Sequence, residues 1–104
     1  MAKILLQYHL KPGTSHDDYE AWVRATDYPT MRGIARVKSF ANHRVRGHLI
    51  GEGDPDCHYV EIFDIPDLDG FTSEDMPGPV VQGIMGDFME RVANPRFLIL
   101  DEIV

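Results

Sequence analysis

The stretch "AKILLQYHLKPGTSHDDYEAWVRAT", residues 2–26, joins a predicted strand to a predicted helix and decides the fold. Ala2–Leu10 is short and rich in branched residues, and Lys11-Pro12-Gly13 ends it, which is typical of a strand followed by a turn. Thr14 or Ser15 can cap the helix that follows. The apolar face of that helix recurs at helical spacing through Tyr19, Trp22, Val23 and Thr26.

The rest of the chain supplies three more strands and a second helix. Alternation of small or apolar residues with polar ones predicts a strand over residues 35–46, and "CHYVEIFDI", residues 57–65, predicts the next. Pro79 begins a second helix, whose apolar stripe stops at Asn94-Pro95. Residues 96–104 then predict the last strand.

The order β-α-β-β-α-β predicts an α+β protein with the ferredoxin-like, split βαβ arrangement. Its four-stranded antiparallel sheet places the first and third strands side by side in the centre, and both helices cover one face. The length of 104 residues is enough for one domain and too short for two, so we expect a single domain over residues 1–104.

Composition disfavours several classes of function. The formal net charge of −7 argues against binding nucleic acids or anionic membranes. Cys57 is the one cysteine, so neither an intrachain disulfide nor a cysteine-based zinc site is expected, and His16, His43 and His48 show no metal-ligand spacing. The start of the chain lacks a signal-peptide pattern, and its apolar runs fall short of the roughly 20 residues of a membrane span, so we expect a cytoplasmic protein.

The sheet face without helices is predicted to border a cavity. Alternation turns Leu5, Gln7 and His9 of the first strand away from the helices. The same argument assigns Val60 and Ile62 of the third strand to the helical core. The uncovered side then also carries Phe40, Asn42, Cys57, Tyr59, Glu61 and Phe63. A patch this apolar predicts a second copy packed against it, and therefore a symmetric homodimer that encloses a pocket with a few polar groups.

Three side chains are candidates for acid–base catalysis in this pocket. His9 can move protons in both directions near neutral pH. Glu61 lies mid-strand among apolar residues, where desolvation raises a carboxyl pKa. Asp27 stands at the rim, where Pro29 is expected to break the first helix at Tyr28. The structural alternatives are a backbone-bonded histidine, an ion-paired glutamate and an aspartate in a turn.

Six further side chains are candidate substrate contacts: Gln7, Trp22, Tyr28, Phe40, Asn42 and Tyr59. The two tyrosines offer flat faces and hydroxyl groups, although aromatic residues at such positions more often pack in a core or an interface. The two amides can orient a carbonyl group, with solvation or mutual bonding as the alternative. The indole and phenyl rings would form walls of the pocket.

The chain resembles a known family over most of its length, best from residue 1 to residue 40. "YEAW" running into "DYPTMRGIARVKSF" is similar to the dimeric α+β barrel superfamily. More closely, "AKILLQYHLKPGT" together with "YEAWVRATDYPTMRG" resembles the RedY/HapK-like proteins of prodiginine pigment biosynthesis. The resemblance implies a small homodimer without a bound metal or organic cofactor, acting in a secondary-metabolite pathway of the antibiotic and pigment kind.

The role that this resemblance implies lies on the branch that builds the methoxybipyrrole aldehyde. The activity would be cyclisation, condensation or dehydration of a pyrrole-type intermediate, with His9 and either Asp27 or Glu61 moving protons. Two alternatives stay open. One is a non-catalytic protein that binds or delivers a reactive intermediate. The other is a cofactor-free monooxygenase, as some superfamily relatives are, although some relatives carry a histidine where Asp27 stands.

Overall fold

The computed structural model describes residues 2–104, and its sheet has the predicted order. The strands are β1 (Ala2–Leu10), β2 (Ser39–Arg44), β3 (Tyr59–Asp64) and β4 (Val92–Asp101). They form one antiparallel sheet in the order β2-β3-β1-β4, so β1 and β3 are central. The predicted ferredoxin-like α+β fold is confirmed.

The helices pack on one face of this sheet, where the buried core lies. The first helical segment comprises α1 (His16–Trp22), a π-helical turn (Val23–Asp27) and α2 (Tyr28–Arg32). The second comprises α3 (Leu68–Gly70), another π-helical turn (Phe71–Asp75) and, after a short connection, α4 (Pro79–Met89). None of the helices within residues 2–104 is long and apolar enough to cross a membrane.

The helix break predicted at Tyr28 is wrong, because a π-helical turn accommodates Pro29. Tyr28 has helical angles, φ −58° and ψ −53°, and its N–H donates to the carbonyl of Val23, five residues earlier. Pro29 therefore falls in the first turn of α2, where its fixed φ suits the helix. The continuous helix carries Asp27 into the interior, where it is 4% exposed.

The predicted faces are correct for β1 and wrong for β3. Residues that face each other across an antiparallel pair project to the same side of the sheet. Leu6 lies opposite Glu61, and both are buried beneath the helices. Tyr59 and Phe63 share that side, whereas Ile62 lies on the uncovered side and is 37% exposed.

The same register corrects the second strand. Phe40 lies opposite Phe63 and Asn42 opposite Glu61, so both face the helices rather than the uncovered side. Cys57 precedes β3 and belongs to the loop before it. The predicted face of β3 is wrong because the two aliphatic residues, Val60 and Ile62, were placed in the core. The hydrogen bonds that allow Glu61 to be buried come from other elements, so the sequence of β3 alone does not show them.

The strand ends also differ from the prediction. The second and third strands are shorter than predicted, and β4 begins earlier, at Val92. Gln7 pairs with Arg96 and His9 with Ala93, so β4 carries one extra residue in this interval. That bulge contains Asn94, with φ 55°, and Pro95, which an edge strand tolerates because one side of its ladder is unpaired.

Candidate active site

A cavity of about 230 Å³ lies between the helices and the sheet face that they cover. Its walls are mostly apolar and include Leu6, Phe71 and Phe88. Asp27 and Glu61 are the ionisable side chains of its lining, and no lysine, arginine or histidine of residues 2–104 joins them there. The cavity is therefore on the opposite side of the sheet from the pocket that the sequence predicted.

Both carboxyl groups are deeply buried. Glu61 is 2% exposed, and the Oδ2 atom of Asp27 has no hydrogen-bond partner within residues 2–104. Burial raises the pKa of Asp27 to about 7. Burial first, and then the neighbouring Asp27, raise the pKa of Glu61 to about 8, although a hydrogen bond from Tyr8 acts in the opposite direction. The pair therefore retains a proton near neutral pH.

Glu61 is held by a hydrogen-bond network that the sequence analysis missed. The hydroxyl of Tyr8 donates to Oε2 of Glu61 and also contacts the hydroxyl of Tyr19. Nδ2 of Asn42 donates to the Tyr8 hydroxyl at 2.9 Å and to the Tyr19 hydroxyl at 3.3 Å. Burial, followed by the charge of Glu61, raises the pKa of both tyrosines, so their hydroxyls stay protonated donors.

The sequence analysis placed Tyr19 on the apolar face of the first helix, and it did not select Tyr8 or Tyr19 as a site residue. A signal was present, because a fully buried tyrosine hydroxyl usually finds a hydrogen-bond partner. Both side chains have no exposed surface. Identifying that partner required the register that places Tyr8 next to Glu61.

Tyr28 and Phe40 lie close to the site without lining the cavity. The Tyr28 hydroxyl accepts a hydrogen bond from the backbone N–H of Asn42 at 2.9 Å, which ties α2 to β2. Phe40 stacks on Phe63, a cavity wall, with 4.1 Å between the ring centroids. The guanidinium of Arg32 lies 3.7 Å from the centre of the Tyr28 ring. These contacts describe packing, and the predicted substrate contacts stay predictions.

Trp22 and Tyr59 also pack around the network. The half-buried Trp22 ring lies 5.8 Å from the Tyr19 ring, and the Arg91 guanidinium lies 4.6 Å from the Trp22 ring centre. The Tyr59 hydroxyl donates to Oε2 of Glu20 at 2.6 Å, on the outer side of the network. Neither side chain lines the cavity.

His9 and Gln7 lie on the uncovered side of the sheet, so the predicted convergence of His9 with Glu61 is wrong. Side chains alternate along β1, and Leu6, not Gln7 or His9, shares a side with Glu61. The His9 ring contacts the ring of His58, with 4.7 Å between centroids. Among residues 2–104, no group of three or more histidine, cysteine or acidic residues is placed to hold a metal ion.

The fold recurs in solved structures of other proteins. A dimeric ferredoxin-like protein from Thermobifida fusca has a TM-score of 0.70 and 15% identity, covering 95% of this chain and 88% of that chain. SnoaB from Streptomyces nogalater, a cofactor-independent oxygenase, has a TM-score of 0.72 and 14% identity, covering 97% and 91%. At these identities the likeness shows the fold alone, which is ferredoxin-like.

A third structure shares more of the sequence. The crystal structure of HapK from Hahella chejuensis is 27% identical, with a TM-score of 0.77, and the match covers 99% of this chain and 93% of that chain. No curated protein sequence matches the chain. The family model described as "REDY-like protein HapK" matches residues 2–103. The chain therefore belongs to the HapK (REDY-like) family.

Proposed function

We propose that this protein is a cofactor-independent cyclase or dehydratase of prodiginine-type antibiotic and pigment biosynthesis. It acts as a cytoplasmic homodimer on a pyrrole-type intermediate, by cyclisation, condensation or loss of water. Membership of the HapK family supports the pathway. The observation that carries the chemistry is that Asp27 and Glu61 are both buried in the lining of one apolar cavity.

Two carboxyl groups are sufficient for this class of reaction. One donates a proton to a carbonyl or hydroxyl oxygen, and the other removes a proton from the ring nitrogen or an adjacent carbon. When a hydroxyl oxygen takes the proton, it leaves as water, and the electron pair of the broken N–H or C–H bond forms the new double bond, so one proton is given and one is taken. When a carbonyl oxygen takes the proton, it becomes a hydroxyl group, which leaves as water in a second step of the same kind. Raised pKa values near neutrality suit both roles, and each acid–base group typically contributes about 10²–10⁴-fold in rate.

His9 is not part of this proposal, although the sequence made it a catalytic candidate. It lies on the other side of the sheet from Asp27 and Glu61, and the sheet itself separates them. The flat apolar walls of the cavity, among them Phe63 and Phe88, suit a planar ring and exclude water around the two carboxyls.

The test is complementation of a prodiginine-producing strain that lacks its own HapK-family protein. The strain receives the unmodified chain, Asp27→Asn or Glu61→Gln, and the bipyrrole aldehyde is quantified by mass spectrometry. We expect each variant to lower aldehyde formation by about 100-fold or more, because each removes one proton-transfer group. Asp87→Asn, which changes an exposed carboxyl on α4, is the matched control and should have no effect.

The alternatives predict other results with purified protein. A delivery protein would bind the intermediate at equilibrium without converting it, and a monooxygenase would consume oxygen in step with product. Unchanged aldehyde formation by both carboxyl variants, with circular dichroism showing intact folds, would remove the acid–base proposal.

A further inference from the structure

We propose that Glu61 is the base and Asp27 the acid of this pair, and that Tyr8, with Tyr19 and Asn42, is the positioning residue that fixes this division. The inference rests on the proposed acid–base function. It concerns where the proton lies before any substrate binds, and it follows from counting the hydrogens in the buried network.

Three polar groups surround the Tyr8 hydroxyl: Oε2 of Glu61, the Tyr19 hydroxyl and Nδ2 of Asn42. An amide nitrogen can only donate, so the oxygen of Tyr8 accepts from Asn42. The single hydroxyl proton of Tyr8 then has two possible acceptors, Glu61 and Tyr19. Which of the two accepts it depends on the protonation of Glu61.

An ionised Glu61 satisfies every donor of the network. Tyr8 donates to Glu61, Tyr19 donates to Tyr8, and Asn42 donates to both hydroxyl oxygens. If Oε2 of Glu61 carried a proton, it would donate to Tyr8, and Tyr8 would donate to Tyr19. The Tyr19 proton would then have no further acceptor among the hydrogen bonds of residues 2–104.

A proton on the other oxygen of Glu61 is also disfavoured. The Tyr8 bond would remain, but its acceptor would be neutral, and hydrogen bonds to an ionised group are roughly twice as strong as neutral ones. The network thus favours the carboxylate form of Glu61 in each arrangement.

Asp27 has the opposite surroundings. Its Oδ2 atom is buried without a hydrogen-bond partner within residues 2–104, and a buried charge without donors is far costlier than a buried neutral carboxyl. The ionisable groups that face the pair are Tyr8 from β1 and Tyr19 from α1. The second π-helical turn and α4 contribute apolar side chains and Thr72 to the cavity. One negative charge, on Glu61, is therefore the state that this count of hydrogens favours, with the proton on Asp27. The raised pKa values of the two carboxyls, about 7 for Asp27 and about 8 for Glu61, stand in the opposite order, and the count is preferred because each tyrosine hydroxyl has a single proton to give.

The experiment is a titration of the full-length, ligand-free protein labelled with ¹³C at the aspartate and glutamate carboxyl carbons. Between the two midpoints of the pair, we expect the Glu61 signal at its ionised position and the Asp27 signal at its protonated position. In Tyr8→Phe, the Glu61 midpoint should rise by about 1 to 2 pH units, the equivalent of one hydrogen bond to a charged group. The proton should then move from Asp27 to Glu61.

Tyr59→Phe is the matched control. Tyr59 lies opposite Tyr8 on β3 and is similarly buried, but its hydroxyl donates to Glu20, so both midpoints should stay in place. A protonated Glu61 beside an ionised Asp27 in the unmodified protein would overturn the inference, whether or not Tyr8→Phe folds. An unmoved Glu61 midpoint in a folded Tyr8→Phe would do the same.

The titration uses no substrate, so it separates this inference from the proposed function. A chain that shows the expected proton distribution and converts no intermediate would refute the function alone. A chain that converts the intermediate with the proton on Glu61 would refute the inference alone.

Discussion

At the scale of single residues, Glu61 shows how a carboxyl group can occupy the middle of a central strand. It is 2% exposed, yet the Tyr8 hydroxyl donates to it and Asn42 supports that hydroxyl. A buried polar group is tolerated when its partners are in place and is costly when they are not. Asp27, the second carboxyl, lacks such partners within residues 2–104 and is the more strained of the two.

The two carboxyls give the protein an unusual pH dependence. Their folded pKa values, about 7 and about 8, lie above the ordinary values of 3.8 and 4.5, so the folded state binds more protons than the unfolded state in this range. The free energy of unfolding should therefore fall as pH rises from about 5 to about 8, by up to about 1.4 kcal/mol per pH unit for each carboxyl. Urea unfolding at a series of pH values measures this slope.

The double variant Asp27→Asn, Glu61→Gln is the control for that slope. Its amides do not titrate, so most of the decline between pH 5 and pH 8 should disappear. A free energy of unfolding that rises with pH over this interval in the unmodified protein would contradict the raised pKa values.

At the scale of elements, one arginine holds the wall of the cavity. Arg36, which precedes β2, pairs with Asp67 at 3.1 Å, with Asp75 at 3.3 Å and with Glu74. Asp67 precedes α3, and Glu74 and Asp75 lie in the second π-helical turn. The segment of residues 68–76 supplies four residues to the cavity lining: Leu68, Phe71, Thr72 and Met76. The backbone hydrogen bonds of residues 67–78 stay within that segment and α4. The ion pairs of Arg36 are therefore its main polar link to the loop before β2.

Gly70→Ala should loosen that link. A methyl group at residue 70 would overlap the carboxylate of Asp67 and the guanidinium of Arg36, so one of them must move. We expect faster hydrogen exchange over residues 68–76 and weaker binding of any ligand in the cavity. Gly83→Ala is the matched control on α4, where the added methyl meets nothing within 4 Å and should stabilise the helix by about 0.5–1 kcal/mol. Unchanged exchange in Gly70→Ala would show that the Arg36 ion pairs do not hold the segment.

The elements were easier to predict than the faces they present. Turn residues and helical spacing identified all four strands and Pro79 as the start of α4. The face of β3 was not predictable from hydrophobicity, because Ile62 is apolar and exposed while Glu61 is polar and buried. Only the pairing of Leu6 with Glu61 settles the question, and register depends on contacts that are distant in sequence.

The candidate site was predicted only in part, because the strand register decides which side chains meet. Asp27, Glu61 and Asn42 do lie near one another, since all three contribute to the cavity or to its hydrogen-bond network. His9 was grouped with them only through the inverted face of β3. Burial of Asp27 depended on the π-helical turn, which the helix-breaking rule for Pro29 does not anticipate.

At the scale of the whole molecule, the sheet has an apolar side that no helix covers. Ile62, Leu98 and Leu100 are 37%, 44% and 36% exposed, and Leu5 lies between them. Side chains of this kind rarely form a contiguous patch on a monomer. A solved protein of the same fold from Thermobifida fusca is described as dimeric. We expect two copies of this chain to pack through this side, with His9 and Gln7 close to the contact.

Ile62→Arg should convert the dimer to a monomer, because it places a charge in the centre of the expected contact. Sedimentation velocity should report twice the chain mass of 11.8 kDa for the unmodified protein and a single chain for the variant. Val80→Arg, at a 54% exposed position on α4, is the control and should stay dimeric. A single chain at micromolar concentration in the unmodified protein would refute the expected dimer.

The π-helical turn at Val23–Asp27 also matters when homologues are aligned. A turn closed five residues back holds one more amino acid than a turn closed four back, and it leaves the flanking helices in place. A relative without this extra amino acid should align with a one-residue gap between Val23 and Tyr28. An alignment without that gap would pair the relative's counterpart of Asp27 with a residue next to Asp27. The acidic residue would then be wrongly scored as absent from the relative.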